Sequence, residues 1–209
     1  MTLFELKNVT YQNIISYPDL KIAAGEVTFI CGESGSGKST LLKLLNGIVS
    51  PTTGQITYST ENMNYCDPIM LRREILLVGQ TVYLFDMSVK DNFKEFYSYR
   101  DLENISEDEM KMYLNICSVN FPLDNMCHIM SGGERQRIFI AINLSFQSKI
   151  LMLDEPISAL DDKNANILIE NIKLYCNKNG KTLIVVSHDK AIAEKYADTI
   201  INLSGGEKK

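Results

Sequence analysis

The sequence predicts an α/β fold: a mostly parallel sheet core, antiparallel strands at its N-terminal end, and an inserted α-helical subdomain. Three observations carry this prediction. A glycine-rich turn, Gly32-Glu33-Ser34-Gly35-Ser36-Gly37, stands between the apolar run Val27–Cys31 and the helix-like Leu41-Leu42-Lys43-Leu44-Leu45. Short apolar runs recur at Ile75–Val78, Ile150–Leu153 and Thr182–Val186, the pattern of strands covered on both faces. From Met87 to Ser148, between the first and second of these runs, the apolar spacing turns helical.

At 209 residues the chain is long enough for one sizeable core with a small subdomain. Apolar residues at 45% and charged residues at 22% exclude a disordered chain. The net charge of −5 argues against broad nucleic-acid binding. Cys31, Cys66, Cys117, Cys127 and Cys176 are odd in number and lack a CxxC pair, which points to reduced thiols in a cytosolic protein without a zinc site. No basic N-terminal region leads into an apolar run, and nothing approaches about 18 apolar residues, so neither a signal peptide nor a membrane span is expected.

In chain order, Leu3–Val9 alternates as a strand, and Leu20–Ile22 follows as a second before the turn Ala24-Gly25-Glu26. Between them, Tyr11 is a candidate platform for a purine face, with packing on the sheet as the alternative. Tyr17 is expected to pack on the sheet. Gly32, Lys38 and Ser39, with Thr40 after them, then complete G-x-x-x-x-G-K-[ST] in its required setting of strand, loop and helix. Glycines let backbone N–H groups turn inward around phosphate oxygens, and the following helix directs its positive end at the same anion. Lys38 would reach the β- and γ-phosphates, and the Ser39 hydroxyl would ligate Mg²⁺.

Ser50–Gly54 is a turn cluster leading to a strand at Gln55–Tyr58, and the polar segment Ser59–Pro68 reads as a loop. Arg72-Arg73 end a helix before the Ile75–Val78 strand. Gln80 leaves the carboxyl edge of that strand, where it could touch Mg²⁺ or the attacking water. Ser88 opens a helix through Val89, Phe93 and Phe96. Ser106-Glu107-Asp108-Glu109 fits a capping box, so the acidic run from Glu103 is a solvated helix start rather than a substrate site. Met110, Met112 and Met126 read as core or interface filler.

Met130-Ser131-Gly132-Gly133-Glu134-Arg135-Gln136-Arg137 precedes Ile138, Ala141, Ile142 and Leu144 at helical spacing. Ser131, Gly132 and Gly133 at the front of that helix can present a hydroxyl and N–H groups to an anion. A capping box between Ser131 and Glu134 is compatible with this. A second copy, Leu203-Ser204-Gly205-Gly206-Glu207, has no helix behind it and reads as a tail.

Ile150–Leu153 ends in Asp154 and Glu155, and two charges after four apolar residues are hard to explain by structure alone. Side chains alternate along a strand, so the two acids point differently. Asp154 would hold the Mg²⁺ shell, and Glu155 would polarise the water that attacks the γ-phosphate. After Ser158–Asp161, a helix runs from about Lys163 to Cys176 and stops at Asn179-Gly180. His188 leaves the Thr182–Val186 strand at the edge shared with Gln80 and Asp154, which favours a γ-phosphate contact. His128 has no such setting and reads as structural.

Together these stretches resemble an ATP-binding cassette (ABC) ATPase of the short single-cassette type, a P-loop NTPase with a RecA-like core. The matching motifs are a Walker A at Gly32–Thr40, a Q-loop at Gln80, a signature at Ser131–Gln136, a Walker B at Ile150–Asp154 followed by Glu155, a D-loop at Ser158–Asp161 and a switch histidine at His188. The resemblance covers nearly the whole chain in the family's order. Its most specific part is Ser-Gly-Gly-Glu-Arg-Gln-Arg shortly before an Asp-Glu strand. It implies ATP and Mg²⁺ as ligands, with Ser39, Gln80 and Asp154 at the metal. It also implies a head-to-tail dimer in which Lys38 and Glu155 of one subunit face Ser131, Gly132, Gly133 and Gln136 of the other across each ATP. On this reading, residues 1–86 and 149–209 form the nucleotide-binding core, and 87–148 form the helical signature subdomain. Met130 replaces the usual leucine, Ile157 stands where threonine is common, and the short N-terminal segment leaves the adenine-stacking residue open between Tyr11 and others.

The leading function is the ATPase subunit of a transporter whose membrane part is a separate polypeptide, held at the cytoplasmic face through that permease. In the family a short permease helix docks on the surface equivalent to Thr81–Phe96. Some short subunits of this kind are implicated in metal-ion export. The alternative is a soluble ABC protein acting on ribosomes or DNA, against which stand the single cassette and the lack of heptads or a basic stretch. A P-loop kinase or a non-hydrolysing module is disfavoured by Glu155 and the signature. The transported substrate is not expected to be readable, since the membrane partner selects it.

Overall fold

In the computed structural model, which describes residues 1–203, the elements run as follows. They are β1 (Thr2–Tyr11), β2 (Ile15–Ser16), β3 (Leu20–Ala23), β4 (Val27–Gly32), α1 (Lys38–Leu45), β5 (Thr53–Tyr58), β6 (Glu61–Asn62), α2 (Pro68–Glu74), β7 (Ile75–Val78), α3 (Val89–Ser98), α4 (Glu107–Ile116), α5 (Gly132–Leu144), β8 (Ile150–Asp154), α6 (Asp162–Lys178), β9 (Thr182–Val186), α7 (Lys190–Tyr196) and β10 (Thr199–Leu203). The chain divides into two compact units. One holds Met1–Gly79, Ser148–Glu155 and the chain from Cys176; the other holds Gln80–Gln147 and Pro156–Tyr175.

The apolar runs of the first unit become a five-stranded sheet in the order β10-β4-β9-β8-β7, with every neighbour parallel. Parallel strands are covered on both faces, which is why β8 and β9 are buried at every position. A second sheet, antiparallel, runs β2-β1-β5-β6 with β3 also on β1. One core joins these sheets: Phe4, Leu6 and Ile22 from the antiparallel strands, Leu41, Leu42, Leu44 and Leu45 of α1, and Met152, Ile184 and Val186 from the parallel strands. Each such side chain contributes about 1.5–3 kcal/mol by leaving water, so the helix that follows the glycine turn is held chiefly by its leucines.

The segment Ser59–Pro68, expected as a loop, carries more structure than that. Ser59 turns at φ 57, and Glu61–Asn62 returns as β6 against β5. A 3₁₀ turn follows at Met63–Tyr65, and Asp67 caps α2 by accepting from the N–H groups of Ile69 and Met70. Local polar side chains set this path, and hydrophobic periodicity does not register them.

In the second unit, α3, α4 and α5 start at serine caps. Ser88 accepts from Asp91 N–H, and both Ser106 and Ser131 close full capping boxes with Glu109 and Glu134. Val89, Phe93, Met110, Leu114, Ile138 and Ala141 are buried, so these helices meet along apolar stripes. Met110 is core, whereas Met112 and Met126 are 46% and 37% exposed. The repeated Ser-Gly-Gly-Glu begins after Leu203, the last residue of β10, and lies outside the described residues.

Candidate active site

Three adjacent parallel strands bring the first unit's candidate residues to one edge. Ile30 of β4 pairs with Val186 of β9, which pairs with Asp154 of β8. Beyond that level β4 ends at Gly32 and enters the glycine turn, Glu155 directly follows β8, and His188 lies two residues past β9. Carboxyl ends of neighbouring parallel strands form the crevice where α/β sheets take ligands.

The turn is shaped by close approach. A Cβ on Gly32 would sit 2.4 Å from the Leu203 carbonyl oxygen, so no other residue fits there. Gly37 holds φ 91, where a Cβ would meet Ile15 Cγ2 and Tyr17 Oη at 2.9 Å each. Buried Tyr17 donates to the Gly37 carbonyl at 2.9 Å and so braces the turn. That role was not readable from the sequence, which showed only an aromatic residue near a sheet. Tyr11 is part-exposed and pairs with Ile15, the residue that packs at Gly37.

The site's polar groups fit a polyanion and a hard cation. Lys38 is only 6% exposed, and its ammonium donates to the Gly32 and Glu33 carbonyls at 2.9 and 2.8 Å. Both hydrogen-bond acceptors are neutral, so an arriving phosphate would give the ammonium a charged one. Ser36 Oγ is buried without a hydrogen-bond partner among the described residues, another group that suits an arriving oxyanion. Glu33, Ser34 and Gly35 are exposed at the lip, and Ser39 and Thr40 are part-buried at the front of α1. Ser39 Oγ donates to Asp154 Oδ1 at 3.0 Å. A hydroxyl and a carboxylate so placed are oxygen donors of the kind Mg²⁺ takes when phosphates and water complete its shell.

Glu155 is 8% exposed, and His188 Nε2 lies 3.0 Å from its Oε1. Burial pushes the Glu155 carboxyl above the ordinary range, with the charges of His188 and Lys38 opposing. The divergence of the two acids has a different cause from the strand alternation expected. Asp154 ends β8, while Glu155 adopts φ 52 and donates its N–H to the Val186 carbonyl at 3.0 Å. A non-glycine residue held left-handed costs on the order of 1–3 kcal/mol, and such strain gathers where a side chain must be aimed.

The remaining candidates belong to the second unit. Gln80 is exposed, two residues beyond β7. Ser131 and Gly132 are exposed at the start of α5, while Gln136 is buried within its first turns. A Cβ on Gly132 would meet nothing within 4 Å, whereas one on Gly133 would meet Leu160 Cδ2 at 2.8 Å and the Ala159 carbonyl at 2.9 Å. Gly133 thus lets α5 sit against the Ser158–Asp161 loop, and Gly132 answers to no packing need among the described residues. His128 Nδ1 lies 2.6 Å from Asp86 Oδ1, both exposed.

Comparison with known proteins agrees with this geometry. A family model described as ABC transporter matches residues 15–158, more than half the chain. The chain is similar to the probable iron export ATP-binding protein FetA of Escherichia coli, 33% identical over 96% of this chain and 91% of that one. It is also similar to the L-cystine import ATP-binding protein TcyC of Bacillus subtilis, 31% identical over 96% and 84%. Among solved structures, the dimeric MJ0796 bacterial ABC transporter cassette superposes with a TM-score of 0.84 at 28% identity, covering 99% of this chain and 97% of that one. A post-hydrolysis MJ0796 dimer bound to ADP and Pi superposes with a TM-score of 0.81 at 26% identity, covering 99% and 98%.

Proposed function

The chain belongs to the ABC transporter family of ATP-binding subunits, and from that premise we propose that it powers a separate membrane permease by closing two ATP molecules between two copies of itself. It is an ATPase. The observation that carries the proposal is the meeting, in one unit, of the Lys38 ammonium, the Ser39–Asp154 pair and the Glu155–His188 pair at the ends of three adjacent strands.

Lys38 and the turn's N–H groups would hold the triphosphate, and Ser39 and Asp154 would hold Mg²⁺, which would supply positive charge to the phosphates; the Gln80 side chain offers a further oxygen donor for that ion. Glu155 accepts a proton from the attacking water as its oxygen bonds to the γ-phosphorus and the bond to ADP breaks. His188 steadies the carboxylate and contacts the γ-phosphate. Tyr11 offers its ring to the adenine. Ser131, Gly132, Gly133 and Gln136 of the second copy close over the same ATP.

Gly132→Ala separates this role from folding. Because the added Cβ meets no neighbour among the described residues, the melting temperature should stay within about 1 °C. Facing a partner's phosphate, the same methyl should reduce turnover by about tenfold or more. Equal turnover in the variant would remove the second copy's glycine face from the site.

Among the described residues no helix is long and apolar enough to cross a membrane. An aromatic surface on the second unit supports a permease partner. Phe85 stacks on Tyr99 at 5.9 Å between ring centroids and meets Tyr83 edge-on at 5.1 Å. Phe96 bridges Phe85 and Phe139 at 5.8 and 5.9 Å. Tyr83 and Tyr99 are 61% and 70% exposed, an aromatic face suited to the apolar side of a short helix. With permease supplied, turnover should rise above the basal rate. Phe85→Ala should cut the ratio of stimulated to basal turnover by about tenfold. A full ratio in that variant would move the docking surface elsewhere. Relatives named for probable iron export and for L-cystine import share this cassette, consistent with cargo being chosen by the permease.

A further inference from the structure

The proposed closure over ATP requires the Ser131 hydroxyl to donate to a phosphate, yet in the separate subunit its hydrogen is already engaged. Glu134 Oε2 accepts from Ser131 Oγ–H at 2.8 Å and from Ser131 N–H at 2.8 Å, while Ser131 Oγ accepts from Glu134 N–H at 3.4 Å. A serine hydroxyl has one hydrogen to give. Those bonds, with the charge of Arg137 in support, hold the Glu134 carboxyl below the ordinary range, so the group is ionised at neutral pH. Gly132 and Gly133, the first two residues of α5, have no acceptor within the helix for their N–H groups. The anion-facing end of α5 therefore carries two open donors, one occupied hydroxyl and one negative charge.

We propose that Glu134 is a positioning residue that gates the Ser131 hydroxyl: it holds the O–H in the free subunit and yields it to the neighbour's γ-phosphate, so that its charge opposes closure of the ATP-bound dimer. This rests on the composite site proposed above. The exchange is proton-neutral, since Ser131 keeps its proton and only the acceptor changes from carboxylate to phosphate. Once released, Glu134 keeps the Ser131 N–H, so the helix start remains capped while closure proceeds. Because the opposing term is repulsion between two anions in a site open to solvent, its size depends on ionic strength.

The test compares ATP-driven dimerisation of the Glu155→Gln protein with and without Glu134→Gln, by sedimentation across a salt series. Glutamine retains an oxygen that accepts from Ser131, so the cap and the melting temperature of the free subunit are kept while the charge is lost. With ATP, the double variant should dimerise about tenfold more tightly, equivalent to about 1.4 kcal/mol, at low salt. The advantage should shrink as salt rises. Equal or weaker dimerisation of the double variant at low salt would overturn the gate and leave Glu134 as a structural cap. Glu134→Ala adds a second readout: it loses the cap and should melt earlier, yet it should still dimerise more tightly than its stability alone predicts. Should no variant, the Glu155→Gln parent included, dimerise with ATP, the composite site itself fails and the gate with it. A dimer unaffected by Glu134→Gln defeats the gate alone.

Discussion

Glu155→Gln is expected to lower ATP turnover by about 10²- to 10⁴-fold, the range a general base contributes, while ATP still binds and the ATP-bound dimer accumulates. The amide keeps the shape of the side chain beside His188 but cannot take the proton of the attacking water. Steady-state turnover and sedimentation with ATP measure the two halves, and parental turnover in the variant would remove Glu155 as the base. Burial raises the Glu155 pKa, so in the parent the acid limb of the pH–rate profile should lie above the ordinary glutamate value of about 4.3. Activity then falls as pH drops through that raised pKa, because the protonated form cannot act as a base. The same shift sets a sign for stability. With its folded pKa above the unfolded one, Glu155 binds protons more tightly in the native state, so ionising it at neutral pH opposes folding. A neutral glutamine avoids that cost, and the variant should melt later than the parent at pH 7 and lose this advantage as pH falls.

That trade between stability and turnover also marks where the sequence was legible. The runs at Ile75–Val78, Ile150–Leu153 and Thr182–Val186 are apolar because both faces of a parallel strand are covered, so a composition pattern translated directly into β7, β8 and β9. Caps at Ser88, Ser106 and Ser131 were equally plain, since a serine hydroxyl accepts from a helix N–H at all three and a glutamate three residues on closes the box at Ser106 and Ser131 whatever lies around them. Features fixed by tertiary contact left no such trace. β2 spans only Ile15–Ser16 and exists because it pairs with the end of β1. The bond from Tyr17 to Gly37 joins residues that periodicity does not relate. The φ of 52 at Glu155 is imposed by the way β8 ends against Val186, and glutamate has no intrinsic preference for it. Residue types thus announced the chemistry, while the geometry that aims it came from packing.

Lys38→Ala should weaken ATP binding by about 10- to 150-fold, since a charge-assisted hydrogen bond contributes about 1.5–3 kcal/mol. Fold stability should respond far less, for two opposing reasons. Removing the ammonium leaves the Gly32 and Glu33 carbonyls without their donor, yet Glu33 is exposed and Gly32 part-exposed, so water can replace it. At the same time, an ammonium that is 6% exposed no longer has to be kept from water. The two nearly cancel, and the ligand-free variant should melt close to the parent. The difference emerges with nucleotide. At an ATP concentration of 100 times the parental Kd, binding stabilises the parent by about 2.7 kcal/mol. A variant bound about 100-fold more weakly gains only about 0.4 kcal/mol under the same conditions. A thermal melt with and without ATP reads this directly: a parental shift in Lys38→Ala would show that the ammonium does not meet the phosphates, and a large loss of ligand-free stability would show that Lys38 serves the turn rather than the nucleotide.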